Sequence, residues 1–306
     1  VNIVGKIAVI GSMNMDYTIE TDTLPNIGET VLANHFFKNI GGKGANQAVA
    51  AARLGGEVSL YGSLGLDENG QLIKEQMEKE NINVSNLHYV KESPTGVAFI
   101  ELFNSDNRIL VVPGANQYTN ISYIKMVEES LLKHNVFVFQ LETPIEILEY
   151  LIPILYQSGK IIIVNPAPAK TLKKELIEKI TYLIPNEHEY NVVLDENELK
   201  LKDLLQKYAN KLIVTLGKKG AAYHDGNRLI TIPILKVEAV DATGAGDTFT
   251  GAFSVAIAKG KSIRESIRFA NIAAGLSVTK KGAQTGMPFE TEVVEYFGTR
   301  REVPGP

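Results

Sequence analysis

A chain of 306 residues, 44% apolar and 22% charged, has an ordinary globular composition with no low-complexity tract, and its length suits one large α/β domain with a small appendage. A net charge of −4, with no Lys/Arg cluster interleaved with aromatics, excludes a surface built to hold a nucleic-acid backbone; the lack of cysteine excludes disulfides, thiolate metal sites and a thiol nucleophile. The five histidines, His35, His88, His134, His188 and His224, fall at no close metal-ligand spacing, and nothing approaches a membrane-spanning run or a secretory leader, which predicts a cytoplasmic protein without nucleic-acid or membrane partners.

In chain order, Lys6 to Ser12 is a short apolar run ending near glycine, the pattern of a strand buried on both faces in a parallel sheet. Its carboxyl end points at Asn14 and Asp16, and ligands of open α/β sheets bind beyond the carboxyl ends of strands. Asx turns explain the same two residues. Tyr17 to Asn39 mixes alternation with turn chemistry and reads as short exposed strands. Next, Gly41-Gly-Lys-Gly-Ala-Asn-Gln leads into an alanine-rich helix. Gly42 and Gly44 let backbone approach a ligand, with Lys43 and Asn46 at the mouth. The stretch is neither a Walker A loop nor a Gly-x-Gly-x-x-Gly fingerprint, because position 47 is Gln; a plain glycine turn into a helix is the alternative. Val58 to Ser63 reads as a strand and Glu68 to Glu80 as an amphipathic helix. Thr95 to Phe103, a turn at Asn104 to Asn107, and Arg108 to Val112 read as a hairpin. Paired with 17–39, this hairpin makes a small sheet that can close over a site as a lid and exclude water. The chain thus divides into a core of 1–12, 40–94 and 113–306 and a lid of 13–39 and 95–112.

Val136 to Leu141 is a strand ending at Glu142. Thr143-Pro-Ile-Glu146 has the form of a capping box, opening a helix with Ile147, Leu148, Leu151, Ile152 and Leu155 on one side. Ile161 to Val164 runs into Asn-Pro-Ala-Pro-Ala169, Tyr182 to Ile184 into Pro185-Asn-Glu-His-Glu189, and Leu212 to Leu216 into Gly217-Lys-Lys-Gly220. Strands and helices alternate without internal repeats, which predicts a doubly wound, mostly parallel sheet flanked by helices. Asn186 and Glu189 share one face of a helical turn, where they either cap it or offer a carboxylate to Mg²⁺ through water. Thr215 to Gly220 passes close to a nucleotide or is an ordinary turn.

Asp241-Ala-Thr-Gly-Ala-Gly-Asp-Thr-Phe-Thr-Gly-Ala-Phe253 combines a glycine turn with a helix starting near Gly246, whose apolar face is Phe249, Ala252, Phe253, Ala256 and Ile257. The unpaired first-turn amides and the helix dipole make Gly244, Ala245 and Gly246 an anion site, and Asp247 stands beside it as a base or, alternatively, as a mere cap. Ser262-Ile-Arg-Glu265 is a further capping box. Asn271 is a lone polar residue in a small-residue helix, either reading an adenine edge or satisfied inside the fold. Lys280 to Gly286 forms a glycine loop whose carbonyls can converge with Asp241 on a cation.

From Gly11 to about Phe297 these motifs resemble the PfkB carbohydrate kinase family. Gly41-Gly-Lys-Gly-Ala-Asn-Gln-Ala48 and Asp241-Ala-Thr-Gly-Ala-Gly-Asp-Thr-Phe249 resemble its two signatures, with Asn186-x-x-Glu189 between them. Gly-Ser-Met-Asn-Met-Asp16, Gln-Leu-Glu142 and Asn-Pro-Ala-Pro-Ala169 resemble the ribose-specific branch. The resemblance implies a ribokinase-like α/β sandwich of about nine strands, a β-sheet lid that clasps a partner lid in a homodimer, and transfer of the ATP γ-phosphate to the 5-hydroxyl of D-ribose. It implies Asn14, Asp16, Gly42, Lys43, Asn46 and Glu142 as sugar ligands, Asp247 as catalytic base, and the amides of Gly244, Ala245 and Gly246 as the anion hole. It further implies Asn186, Thr215, Gly217, Gly220, Gly246 and Asn271 as ATP contacts and Glu189 as organiser of Mg²⁺. K⁺ is implied at Asp241, Thr243, Ser277, Lys280, Gly282 and Gly286, where Gly286 offers no side-chain ligand. The alternatives are a kinase of the same family for another sugar or a nucleoside, and a non-catalytic nucleotide binder on the same fold, which would have no need of Asp247 beside an anion hole.

Overall fold

The computed structural model describes residues 5–103 and 106–299. The first strand, β1 (Ile7–Ile10), leads into β2 (Asn14–Glu20) and β3 (His35–Gly41), after which α1 (Lys43–Arg53) returns to the body. Then follow β4 (Val58–Tyr61), β5 (Ser63–Gly65), α2 (Glu68–Lys79), β6 (His88–Val90), the hairpin strands β7 (Gly96–Phe103) and β8 (Asp106–Val112), and α3 (Ile121–Leu131). The alternating portion comprises β9 (Val136–Phe139), α4 (Glu146–Gln157), β10 (Ile161–Val164), α5 (Lys174–Lys179), β11 (Tyr182–Leu183), α6 (Tyr190–Leu194) and α7 (Leu201–Lys207). It is followed by β12 (Ile213–Thr215), β13 (Ala221–His224) and β14 (Leu229–Ile232), and the chain ends in α8 (Ala245–Ala258), α9 (Ile263–Ser277), α10 (Ala283–Gly286) and α11 (Glu290–Thr299).

Five parallel strands in the order β11-β10-β9-β1-β4 make the centre. Parallel bridges Leu183 to Leu212 and Asn186 to Thr215 join this sheet to the antiparallel β12-β13-β14, so eight strands run continuously where about nine were expected. Strands β5 and β6 pair apart from it. Side-chain alternation splits the core in two. Ile7, Val9, Val136, Val138 and Ile163 pack under α1, α8 and α9, while Ala8, Ile10, Phe137, Phe139 and Ile162 pack under α3, α4, α5 and α7. Strands β1 and β9 are apolar and buried throughout because both their faces are covered.

The small sheet has the order β3-β2-β7-β8, with β2 and β7 parallel and the outer pairs antiparallel. Asn14 and Asp16 are therefore strand residues rather than loop residues. Part of the turn expected at Asn104 to Asn107 lies outside the described residues. The capping box at Ser262 and Glu265 forms, but the one expected at Thr143 does not. There the amides of Ile147 and Leu148 bond the carbonyls of Pro144 and Ile145, the helix begins only at Glu146, and the buried Thr143 Oγ1 has no hydrogen-bond partner among the described residues. Helix α8 also exceeds its expected apolar face, being buried on all sides from Asp247 to Ile257.

Candidate active site

The N-terminus of α8 is shaped by two glycines with different jobs. Gly244 takes a left-handed conformation (φ 76°), and a Cβ there would lie 2.9 Å from the Ala283 Cβ. Gly246 has nothing within 4 Å of its Cβ position, so the first helical turn is open to an approaching group. Further along, a Cβ on Gly251 would lie 2.7 Å from both Ala50 Cβ and the Gln47 carbonyl oxygen. Glycine at this point lets α1 and α8 pack at short range, and that contact carries two amide side chains from α1 to Asp247.

Asp247 is 7% exposed, a burial that demands partners. Asn46 Nδ2 donates to its Oδ2 at 3.0 Å and Gln47 Nε2 to its Oδ1 at 2.9 Å. Gln47 also donates to Asn165 Oδ1 at 3.1 Å and accepts from Gln140 Nε2 at 2.7 Å. Gln140 and Asn165 directly follow β9 and β10, at the carboxyl end of the sheet. Gln47, Gln140, Asn165 and Gln284, which donates to Asn46, were not picked out from the sequence. A signal was present for two of them: Gln140 and Asn165 each sit one residue beyond an all-apolar strand.

Three carboxylates and one ammonium share the space in front of this amide network. Burial first, then the charges of Glu142 and Asp247, push the Asp16 carboxyl up to about 7. Lys43 is held above its ordinary value, chiefly by Asp247, with burial opposing and Glu142 and Glu189 assisting. Glu142 Oε2 accepts from the Ser12 hydroxyl and from the Lys43 backbone N–H, the latter at 3.1 Å. Gly41 is needed because a Cβ there would lie 2.1 Å from Asp16 Oδ2. Asn14 is oriented by Asn116, whose Nδ2 donates to Asn14 Oδ1 at 2.8 Å while its Oδ1 accepts the Met13 N–H at 2.9 Å. The Asn14 amide thereby offers the open side a donor. Asn14, Asp16, Lys43, Asn46, Glu142 and Asp247 thus come together, with Gly42 (φ 88°) as the cap of α1 between them.

Asn186 and Thr215 meet through a parallel bridge at the adjoining ends of β11 and β12. Asn186 Oδ1 accepts the N–H groups of His188 (2.8 Å) and Glu189 (3.0 Å), and Glu189 Oε2 accepts the Asn186 N–H at 2.9 Å. Capping is therefore one role of this pair, and the Glu189 charge also helps, after those of Asp247 and Glu142 and least among the contributors, to hold the Lys43 ammonium above its ordinary value. Gly217 (φ 53°) and Gly220 (φ 90°) shape the turn after β12, and a Cβ on Gly220 would lie 2.0 Å from the Ile232 carbonyl oxygen. Asn271, expected at an adenine edge, is 2% exposed and its Nδ2 donates to the Ile232 and Pro233 carbonyls at 2.7 and 3.3 Å. Its amide hydrogens hold the end of β14, the satisfied alternative.

Asp241 Oδ1 accepts the Thr243 N–H at 2.9 Å and its Oδ2 the Gly282 N–H at 2.8 Å, which ties the turn before α8 to the loop before α10. Although burial works the other way, hydrogen bonds from Thr243 and Gly282 hold its carboxyl below the usual range. A Cβ on Gly286 would lie 2.4 Å from the Ser277 oxygen and 3.5 Å from that of Lys280, so carbonyl oxygens crowd this loop. Among the described residues no three His, Cys, Asp or Glu side chains cluster as a metal site.

The profile of the pfkB family carbohydrate kinases matches residues 4–290. The chain is 44% identical to the ribokinase of Bacillus subtilis over 290 residues, 95% of this chain and 98% of the relative. The crystal structure of ribokinase from Thermotoga maritima superposes with a TM-score of 0.87 at 34% identity, covering 96% of this chain and 99% of that one. The structure of Arabidopsis thaliana ribokinase complexed with ribose and ATP gives a TM-score of 0.85 at 32% identity, with 95% and 98% covered.

Proposed function

The chain belongs to the pfkB family of carbohydrate kinases, and from that premise we propose that it is a ribose kinase, transferring the γ-phosphate of ATP to the 5-hydroxyl of D-ribose to give D-ribose 5-phosphate and ADP. The observation that carries the reading is Asp247, a buried carboxylate gripped by Asn46 and Gln47 in the first turn of α8, beside the unobstructed Gly246. A carboxylate there takes the proton of the attacking hydroxyl. The amides of Gly244, Ala245 and Gly246 receive the negative charge that develops on the transferred phosphoryl group. Asn14, Asp16, Gly42, Lys43, Asn46 and Glu142 bind the sugar hydroxyls, with Asn14 donating and the carboxylates accepting. Lys43, kept protonated by Asp247 and Glu142, adds positive charge beside the reacting groups. The nucleotide lies over Asn186, Thr215, Gly217 and Gly220.

Two cations fit the donor sets. Glu189, which uses its Oε2 in the cap, bears electrostatically on Lys43 and suits Mg²⁺, which would neutralise phosphate charge. The carboxylate of Asp241, Thr243, the carbonyls of Ser277 and Lys280 that lie near Gly286, and the loop residues Gly282 and Gly286 suit K⁺, which would order the turn preceding α8. The four-stranded sheet serves as lid, over 13–39 and 95–112, and as the contact of a homodimer in the cytoplasm.

ADP release over a panel of D-ribose, 2-deoxyribose, fructose 6-phosphate and adenosine tests the proposal. Ribose is expected to be turned over best, and faster in K⁺ than in a bulky organic cation at equal ionic strength. A clear preference for fructose 6-phosphate or adenosine would overturn the substrate, and equal rates in the two salts would remove the K⁺ site.

A further inference from the structure

Asp247 is held at second hand as well as directly. An ionised carboxylate only accepts hydrogen bonds, so Asn46, 3.0 Å from Asp247 Oδ2, must turn its NH₂ group toward it. The Asn46 oxygen then faces the other way, and there Gln284 Nε2 donates to it at 3.0 Å. Gln284 stands on α10, far along the chain from α1, and is only 9% exposed. Its backbone is pinned in turn. Arg53 Nη1 donates to the Gln284 carbonyl at 2.5 Å and to that of Met287 at 3.0 Å, and Arg53 pairs with the largely buried Glu80 at 2.6 Å. Gln47 cannot take over, since its Nε2 already serves Asp247 and Asn165 and its oxygen serves Gln140.

We infer that Gln284 is a positioning residue of the phosphoryl transfer: by donating to Asn46 Oδ1 it fixes the sense of the Asn46 amide, and so keeps a donor rather than an acceptor against Asp247. The inference rests on the reading of Asp247 as the base. The hydrogen bond of Gln284 goes to Asn46 and not to the carboxylate, so its action passes through one side chain. Because the relay has a direction, two substitutions of nearly the same size separate it from packing. Gln284→Met removes the donor and leaves the Asn46 amide free to turn. Gln284→Glu keeps the shape but introduces an acceptor, so that Asn46 must donate to the new carboxylate and present its oxygen to Asp247.

Steady-state kinetics with D-ribose and ATP, together with melting temperatures, on wild type, Gln284→Met, Gln284→Glu and Asp247→Asn test the relay. One oriented hydrogen bond to a charged group corresponds to a rate effect of about ten- to a hundredfold. Gln284→Met is expected to lower kcat about tenfold and Gln284→Glu about a hundredfold, with KM for ATP and the melting temperature near wild type in both. The inference is overturned if Asp247→Asn is impaired while both Gln284 variants keep wild-type kcat. It is equally overturned if the two variants lose activity alike and only in step with their melting temperature, the pattern of a packing residue. Full activity of Asp247→Asn would remove the base on which the relay acts, and the relay with it.

Discussion

Asp16 illustrates how a site residue can oppose the fold that holds it. Its carboxyl titrates near 7 because burial and the neighbouring charges of Glu142 and Asp247 penalise ionisation, whereas in the unfolded chain it ionises near 3.8. Between those values the native state holds a proton that the unfolded state has released, so this residue's contribution to stability falls as pH rises through the window and its full cost is present above about 7. Asp16→Asn is therefore expected to raise the melting temperature of the ligand-free protein more at pH 8 than at pH 5, while weakening sugar binding. Melts at the two pH values check this, and an equal change at both would contradict it. From the residues themselves, Asn14 and Asp16 were legible as polar residues near a strand end, and only the resemblance to the family implied them as sugar ligands. The orientation of Asn14 depends on Asn116, about a hundred positions away, whose amide donates to Asn14 Oδ1. A pairing of that range leaves no local pattern to read.

Elements were most legible where periodicity and local chemistry agree. Helix α9 begins at its capping box, with Ser262 Oγ and the Glu265 N–H and carboxylate bonded reciprocally. The same motif at Thr143 and Glu146 failed because Pro144 and Ile145 form a tighter turn first, displacing the helix start and leaving Thr143 Oγ1 unpartnered. The two sites respond differently to losing the hydroxyl. Ser262→Ala is expected to destabilise by about 1 kcal/mol, a usual cap contribution. Thr143→Val, of similar shape, is expected to be neutral or mildly stabilising, since it removes a buried hydroxyl that has no hydrogen-bond partner among the described residues. Denaturant titrations of both distinguish the cases, and a loss of ~1 kcal/mol for Thr143→Val would show that its hydroxyl is used after all. Helix α8 was recognised by its turn and its repeat, but its burial on all sides follows from α1 approaching across Gly251, a contact between distant segments.

At the scale of the molecule, the parallel sheet places the carboxyl ends of β1, β9, β10 and β11 along one edge. The small four-stranded sheet keeps Phe36, Phe99, Ile109 and Leu110 exposed, at 61%, 45%, 52% and 70%. Four strands with so much apolar surface outside the main core suit a symmetric partner. Sedimentation at tens of micromolar is expected to give a dimer for the wild type and a monomer for Leu110→Glu; a monomeric wild type would contradict the lid contact. The alternation of strands and helices, and with it the layered fold, was legible because both faces of central strands such as β1 and β9 are buried. The convergence of α1, α8 and α10 on one carboxylate was not, since it is a property of packing. That convergence is also what the proposed function most depends on, since it takes Asp247, held by Asn46 and Gln47, as the base. The direct test is kcat of Asp247→Asn with D-ribose and ATP, in protein whose melting temperature is compared with wild type. Loss of a general base is expected to lower kcat by ~10²–10⁴-fold at near-normal stability and near-normal ATP affinity. A kcat equal to that of wild type would contradict the account and leave Asp247 as a cap.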